Sequence, residues 1–238
     1  MKYQRIVCGT FIERPNRFIA YCEIDGRKER CHVKNTGRCR EILIPGTEVY
    51  LQKGDSPSRT TPYDLIAAEK RGFIINIDSQ APNKVALESI DKILGPCDTV
   101  KPEYTLGESR FDFYAEQGST KVLMEVKGVT KESDFKVCFP DAPTERGLKH
   151  VRELTILVKE GYRCVVCFII QMERADSFTP DYPIHEEFGE ALEKASEAGV
   201  EVLAFTCRTG PDYLILGDPV PVVYRKDAPG GCAREGFQ

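Results

Sequence analysis

The sequence predicts an α+β chain of two domains, a small β-barrel of the OB type followed by a mixed sheet covered by helices. Three observations carry this expectation. The first 80 residues alternate polar and apolar positions in short segments separated by turn signals. Helical spacing starts only afterwards, near Val85. From there, helix-period and strand-period segments follow one another, as in a sheet with helices packed on it. The expected domains are residues 1–80 and 81–238.

In the first domain, strands are expected at Ile6 to Glu13, Phe18 to Ile24, Glu29 to Val33, Glu48 to Gln52, Tyr63 to Ala68 and Gly72 to Ile77. Arg14-Pro15-Asn16, Asp25-Gly26, Pro45-Gly46 and Gly54-Asp55-Ser56-Pro57 mark the turns. Strands of this number and length, with Phe11, Phe18, Tyr21, Tyr50 and Tyr63 among them, suit an OB barrel offering stacking surfaces to single strands. Core positions account for such aromatics equally well.

Asp78 to Asn83 reads as the linker. Val85, Leu87, Ile90, Ile93 and Leu94 then have helical spacing, closed by Gly95-Pro96. A strand at Tyr104 to Leu106 precedes a hairpin, and a long helix runs from Thr144 to Glu160 with Leu148, Val151, Leu154, Thr155 and Val158 as its apolar stripe. Tyr162 to Ile170 is a nearly continuous apolar run, the pattern of a buried strand. A helix over Glu186 to Ala198 and a strand over Val200 to Thr206 follow. The prolines of Tyr213 to Tyr224 place that last segment at a sheet edge.

The hairpin carries the chemistry. Gln117-Gly118-Ser119-Thr120 reads as a type II′ turn with Gly at its first central position. That register sets Glu116 opposite Lys121 and Asp112 opposite Glu125, and leaves Phe111, Phe113, Ala115, Val122, Met124 and Val126 on a second, wholly apolar face. Two carboxylates about 5 Å apart at Cβ repel one another. Magnesium takes one or two carboxylates from a protein and leaves its other positions to water and phosphate, so Asp112 and Glu125 are candidate ligands for Mg2+ or Mn2+, with the Val126 carbonyl beside them. Lys127 lies about 6.6 Å further along the same strand face and is a candidate to steady an attacking hydroxide. Arg146, Lys149, His150 and Glu153 share a helical face by the 3.6 period, suited to binding phosphate. Glu88 is a weaker candidate for an accessory acid.

The net charge of −4 hides an asymmetry. Residues 1 to 80 carry 14 Lys and Arg against 10 Asp and Glu, and the rest carries 19 against 27. Arg27, Lys28, Arg30, Lys34, Arg38 and Arg40 cluster with only Glu29 opposing them, and His32 and Asn35 lie among them, His32 reading either as a nucleic-acid contact or as a hydrogen-bonded structural histidine. Such a cluster can follow a phosphate backbone, although the chain lacks the high pI of a dedicated nucleic-acid binder.

No stretch approaches the roughly 18 apolar residues of a membrane span, and the first residues lack a signal-peptide run. The cytoplasm is the expected compartment, and no membrane partner is expected. In that setting the 10 cysteines read as buried small residues or free thiols. Cys164 and Cys167 fall on opposite faces of one strand and cannot clasp an ion.

Four stretches carry a family resemblance: residues 32–38, 107–113, 125–130 and 139–150, among them Phe111-Asp112-Phe113, Glu125-Val126-Lys127-Gly128 and Phe139-Pro140-Asp141-Ala142-Pro143-Thr144-Glu145-Arg146-Gly147. They resemble the sugar fermentation stimulation protein A family over about residues 5 to 206. That resemblance implies an OB-like domain joined to a restriction-endonuclease-like domain of the PD-(D/E)XK type, in a family described as DNA-binding and linked to the control of sugar metabolism. Asp112, Glu125 and Lys127 fall on the nuclease motif, with Phe111 where that motif often has proline.

Two functions are thus expected in competition: a metal-dependent nuclease acting on DNA, and a catalytically silent DNA-binding regulator of sugar metabolism genes. A carbohydrate-binding barrel is a third, for which a chain without tryptophan has few ring surfaces. The sequence leaves monomer and homodimer open.

Overall fold

The computed structural model of the chain describes residues 1–225 except 36, 57 and 58. Pro57 of the expected turn, Cys232 and the tail after Arg225 lie outside the described residues.

Six strands form the first sheet: β1 (Ile6–Glu13), β2 (Ile19–Ile24), β3 (Arg27–Val33), β4 (Glu48–Lys53), β5 (Tyr63–Lys70) and β6 (Phe73–Asn76). Their order is β3-β2-β1-β4-β5-β6, and a parallel pairing of β3 with β5 closes the first five into a barrel. Closure removes the edges that alternating strands of this length would otherwise expose. Phe11, Ala20, Cys22, Cys31, Val49, Leu51 and Leu65 fill the barrel. Phe11 is therefore core, whereas Phe18 is 53% exposed.

The second unit begins with α1 (Ala81–Glu88) and α2 (Ile90–Leu94). One continuous helix was expected there; Ser89 leaves the helical conformation at φ −122° and ψ 21° and splits it. Leu87, expected in the buried stripe, is exposed. Pro82 and Asn83 belong to the first turn of α1 and not to a linker, because proline is tolerated where helical N–H groups have no partner anyway.

The second sheet contains β7 (Thr99–Leu106), β8 (Ser109–Gln117), β9 (Thr120–Val129), β12 (Arg163–Ile170), β14 (Glu201–Gly210) and β15 (Tyr213–Pro219), in the order β15-β14-β12-β9-β8-β7. β12 is parallel to β9 and β14, and the remaining pairings are antiparallel. The apolar run of β12 is buried from Cys164 through Ile170, as a central parallel strand requires. Val165, Cys167 and Ile169 pack in the cluster that includes α1, while Cys164, Val166 and Phe168 pack with the other cluster. That second layer is α3 (Glu145–Lys159) and α4 (Glu186–Glu197). Thr144 caps α3, its Oγ1 accepting from the Gly147 N–H at 3.1 Å.

A small sheet not expected from the sequence joins β10 (Lys131–Ser133), β11 (Lys136–Phe139) and β13 (Ser177–Pro180). Strands of three or four residues carry too few positions to show a period. The nine described cysteines are free thiols, seven of them buried. No helix among the described residues is long and apolar enough to cross a membrane.

Candidate functional site

The β8–β9 hairpin takes the register that its turn dictates. Gly118 has φ +59°, Ser119 does not share the positive φ, and the ladder runs from Gln117 opposite Thr120 to Phe113 opposite Met124. At Asp112 the backbone ladder stops. The Val126 N–H donates to Asp112 Oδ2 at 2.7 Å, so a carboxylate occupies the place of a main-chain acceptor. On the other side, the β7–β8 register skips Glu103, which has φ +54°. This break corrects the expected apolar face: Phe111 packs in the cluster of α3, its ring 5.8 Å from His150, whereas Phe113 packs in the cluster of α1.

Glu125 is the most enclosed charge of the site, at 2% exposure. Its Oε1 meets Lys127 Nζ at 2.5 Å and His150 Nδ1 at 2.5 Å, and its Oε2 is buried with no hydrogen-bond partner. Asp112 is held from a third direction, its Oδ1 accepting from Asn83 Nδ2 of α1 at 2.8 Å. Four elements thus converge: β8, β9, α1 and α3.

The environments drive the two carboxyls apart. Burial, then the charge of Glu125, raises the Asp112 carboxyl, against the Val126 N–H, Asn83 and Lys127. Burial also works to raise Glu125, but the His150 hydrogen bond and the Lys127 charge outweigh it and the net shift is downward. Glu125 is the settled anion and Asp112 the strained one.

The other expected site residues divide. His150 does not share the solvent face of Arg146 and Lys149, contrary to what the helical period suggested; it is 3% exposed within the buried side of α3. Arg146 and Lys149 are exposed, Lys149 pairing with Glu153 at 3.6 Å. Glu88 is not brought to the pair; it meets the Met1 ammonium at 2.6 Å. Five residues beyond Asn83, it is turned about 140° around α1 and about 7.5 Å along it.

In the basic segment, Arg27, Lys28, Arg30, Arg38 and Arg40 are exposed. Lys28 lies 4.6 Å over the Tyr21 ring and pairs with Glu13 at 2.8 Å. Lys34 is taken up by Asp64 at 3.4 Å and Asp78 at 3.9 Å, and His32 Nδ1 meets Asp64 at 3.2 Å. Asn35 braces its own loop, donating to Ile77 O at 2.9 Å and accepting from the Gly37 N–H at 2.7 Å. Lys34 and His32 are structural partners here, because the barrel's closing strand β5 brings Asp64 under them. Arg14, read only as part of a turn, organises the loop by donating to the carbonyls of Arg17, Asn35, Gly37 and Arg38.

Comparison with known proteins decides the lineage. The family model described as the sugar fermentation stimulation protein RE domain matches residues 80–213, and that of the SfsA N-terminal OB domain matches residues 12–77. The chain belongs to the sugar fermentation stimulation protein family. Similar relatives are the sugar fermentation stimulation protein homolog of Desulfitobacterium hafniense strain Y51, 52% identical over 223 residues covering 93% of this chain and 98% of that protein, and that of Clostridium beijerinckii, 51% identical over 225 residues covering 94% and 100%. Among solved structures, Pyrococcus furiosus SfsA in complex with Ca2+ matches with a TM-score of 0.83 at 29% identity, covering 94% of this chain and 98% of that one. Within this member of the family, the contributions of Asn83 and Arg14 had no sequence signal of their own, since each depends on which segment packs beside it.

Proposed function

We propose that this chain is a divalent-cation-dependent phosphodiesterase acting on DNA, with the β8–β9 hairpin as its catalytic edge. The observation that carries the reading is Glu125 Oε2, a buried carboxylate oxygen with no hydrogen-bond partner, beside a second carboxylate that burial and repulsion disfavour as an anion. A buried charged oxygen without a partner costs several kcal/mol unless a cation is there to meet it. Mg2+ or Mn2+ fits the donor set, since hard cations take carboxylate oxygens and Mg2+ keeps several positions for water and phosphate. Among the described residues no cluster of three or more His, Cys, Asp or Glu stands ready for a metal, so the remaining positions fall to the Val126 carbonyl, water and substrate. The Ca2+ complex of the Pyrococcus furiosus relative supports the same choice of a hard cation.

When bound, the cation lowers the pKa of a water molecule and polarises a phosphoryl oxygen. The chain's own residues do the positioning. Asn83 and the Val126 N–H fix both oxygens of Asp112, while His150 and Lys127 fix one oxygen of Glu125 and leave the other directed to the cation. Lys127 adds a positive charge where negative charge develops on phosphorus. Exposed Arg146 and Lys149, on the α3 side of the sheet to which Glu125 turns, hold substrate phosphate.

The test is hydrolysis of single-stranded, duplex and branched DNA by the full chain with Mn2+. Cleavage by the parent and a loss of at least about a hundredfold in Asp112→Ala are expected. No cleavage of any substrate, or equal cleavage by Asp112→Ala, rejects the reading. The silent regulator rests on a separate observation, the exposed arginines Arg27, Arg30, Arg38 and Arg40, which make no ion pair among the described residues. It predicts binding weakened by Arg30→Ala and by Arg38→Ala and unaffected by Glu125→Ala.

A further inference from the structure

Beyond the carboxylates, at the C-terminal ends of the parallel strands β9 and β12, the two domains enclose a cavity of about 110 Å³. Asn35 and Ser79 line it from the barrel side, and Gly128, Lys131, Phe139, Asp141 and Gln171 from the other. Such crevices outside the carboxyl ends of parallel strands are where open α/β sheets bind ligands.

Gln171 is the most informative wall. It is 1% exposed, and its Nε2 is used twice, on Asn76 Oδ1 and Asp78 O, both at 3.0 Å. Among the described residues no donor meets its Oε1. That oxygen is aimed at Gly128, since a Cβ at position 128 would lie 2.5 Å from it and 2.7 Å from Pro82. The absence of a side chain at position 128 therefore lets Gln171 and Pro82 pack directly against the strand, and it leaves Gln171 Oε1 as an acceptor on the cavity wall.

We propose that this cavity receives one unstacked nucleobase of the strand held at the hairpin, an inference that rests on the phosphodiesterase reading. Gly128 is three residues beyond Glu125, about 10 Å along the strand, the reach of one to two nucleotides. The walls have the chemistry of a base pocket: an aromatic side chain at Phe139, two acceptors in Gln171 Oε1 and Asp141, and the ammonium of Lys131, which pairs with buried Asp181. Two acceptors on the cavity wall disfavour a phosphate. They favour a base with an exocyclic amine, cytosine or adenine, over thymine.

The experiment uses the full chain with Ca2+ and a fluorescent single-stranded 12-nucleotide DNA, in which one abasic residue is moved along the strand. One position is expected to lose about tenfold in affinity when abasic, and cytosine there is expected to bind more tightly than thymine. In Gly128→Ala, with folding checked by thermal melting, the abasic penalty disappears because the added methyl overlaps Gln171 Oε1 and forces that acceptor from its place on the wall. Asp141→Asn, a milder change, turns one acceptor into a donor and reverses the preference toward thymine. A strand that binds and is cut in Mn2+ but shows the same affinity at every abasic position overturns this proposal alone, as does a penalty unchanged in both variants. A strand that is not bound at all overturns it together with the phosphodiesterase reading.

Discussion

Nδ1 of His150 lies 2.5 Å from Oε1 of Glu125, and both side chains are almost fully buried. The contact ties the second turn of α3 to the centre of β9, and it leaves the other oxygen of Glu125 without a protein partner. A helix and a strand 25 residues apart in sequence thereby set the direction of one carboxylate.

Removing the imidazole in His150→Ala leaves Lys127 as the remaining partner of a buried carboxylate. We expect a stability loss of about 1–3 kcal/mol and a fall in Mn2+ affinity of about 10–100-fold, read by denaturant melts and by calorimetric titration. His150→Gln, which can still donate to Glu125, recovers part of the metal affinity. Equal affinities in all three proteins would show that the contact does not orient Glu125.

Asp112 is raised by burial and by Glu125, so its contribution to stability is present in acid and lost as pH rises through its folded value. Asp112→Asn should melt above the parent at neutral pH in chelator, and the gap should close as pH falls. With free Mn2+ at a hundred times its Kd, the parent gains about 2.7 kcal/mol and the variant gains nothing. An equal gain in both proteins removes Asp112 from the metal site.

Glu125 has the opposite sign. Its carboxyl is depressed in the folded protein, so its contribution is present above the unfolded value and is lost as pH falls through the folded value. Glu125→Gln should therefore melt below the parent at neutral pH, with the deficit shrinking in acid. A deficit that grows in acid contradicts the assignment of Glu125 as the settled anion.

On the barrel, Arg30→Ala and Arg38→Ala should each reduce the salt slope of DNA binding by about 1 and weaken all sequences alike. Arg14→Ala should act differently, lowering thermal stability by leaving four loop carbonyls without their donor. Salt-dependent binding isotherms together with melting curves separate the two effects.

Much of the second domain was legible in the chain because local rules carry it. The extent of α3, the apolar run of β12 and the edge placement of β15 each follow from a few neighbouring residues. Expectation and structure part where an element meets another element. On α3, a 3.6 period sets His150 about 40° from Arg146 on one side and about 40° from Leu154 on the other. The wheel is symmetric about it, so the side chain could be read as solvent-facing or buried, and the packing of α3 against β12, next to β9, decides for burial. Asn83 is similar: only the seat of α1 on β9, the strand paired with β8, brings its amide to Asp112.

The sequence by itself determined the hairpin register from Gln117 opposite Thr120 to Phe113 opposite Met124, which brings Asp112 and Glu125 to its end, because a two-residue turn with Gly118 and a side-chain period of two fix the alignment that far. Tertiary structure alone decided how those carboxylates are held. Their partners His150 and Asn83 come from separate helices, and Asp64 takes Lys34 and His32 out of the basic surface through a long-range strand pairing. Backbone periodicity is written into neighbouring residues, whereas the meeting of two buried polar groups depends on how distant elements pack.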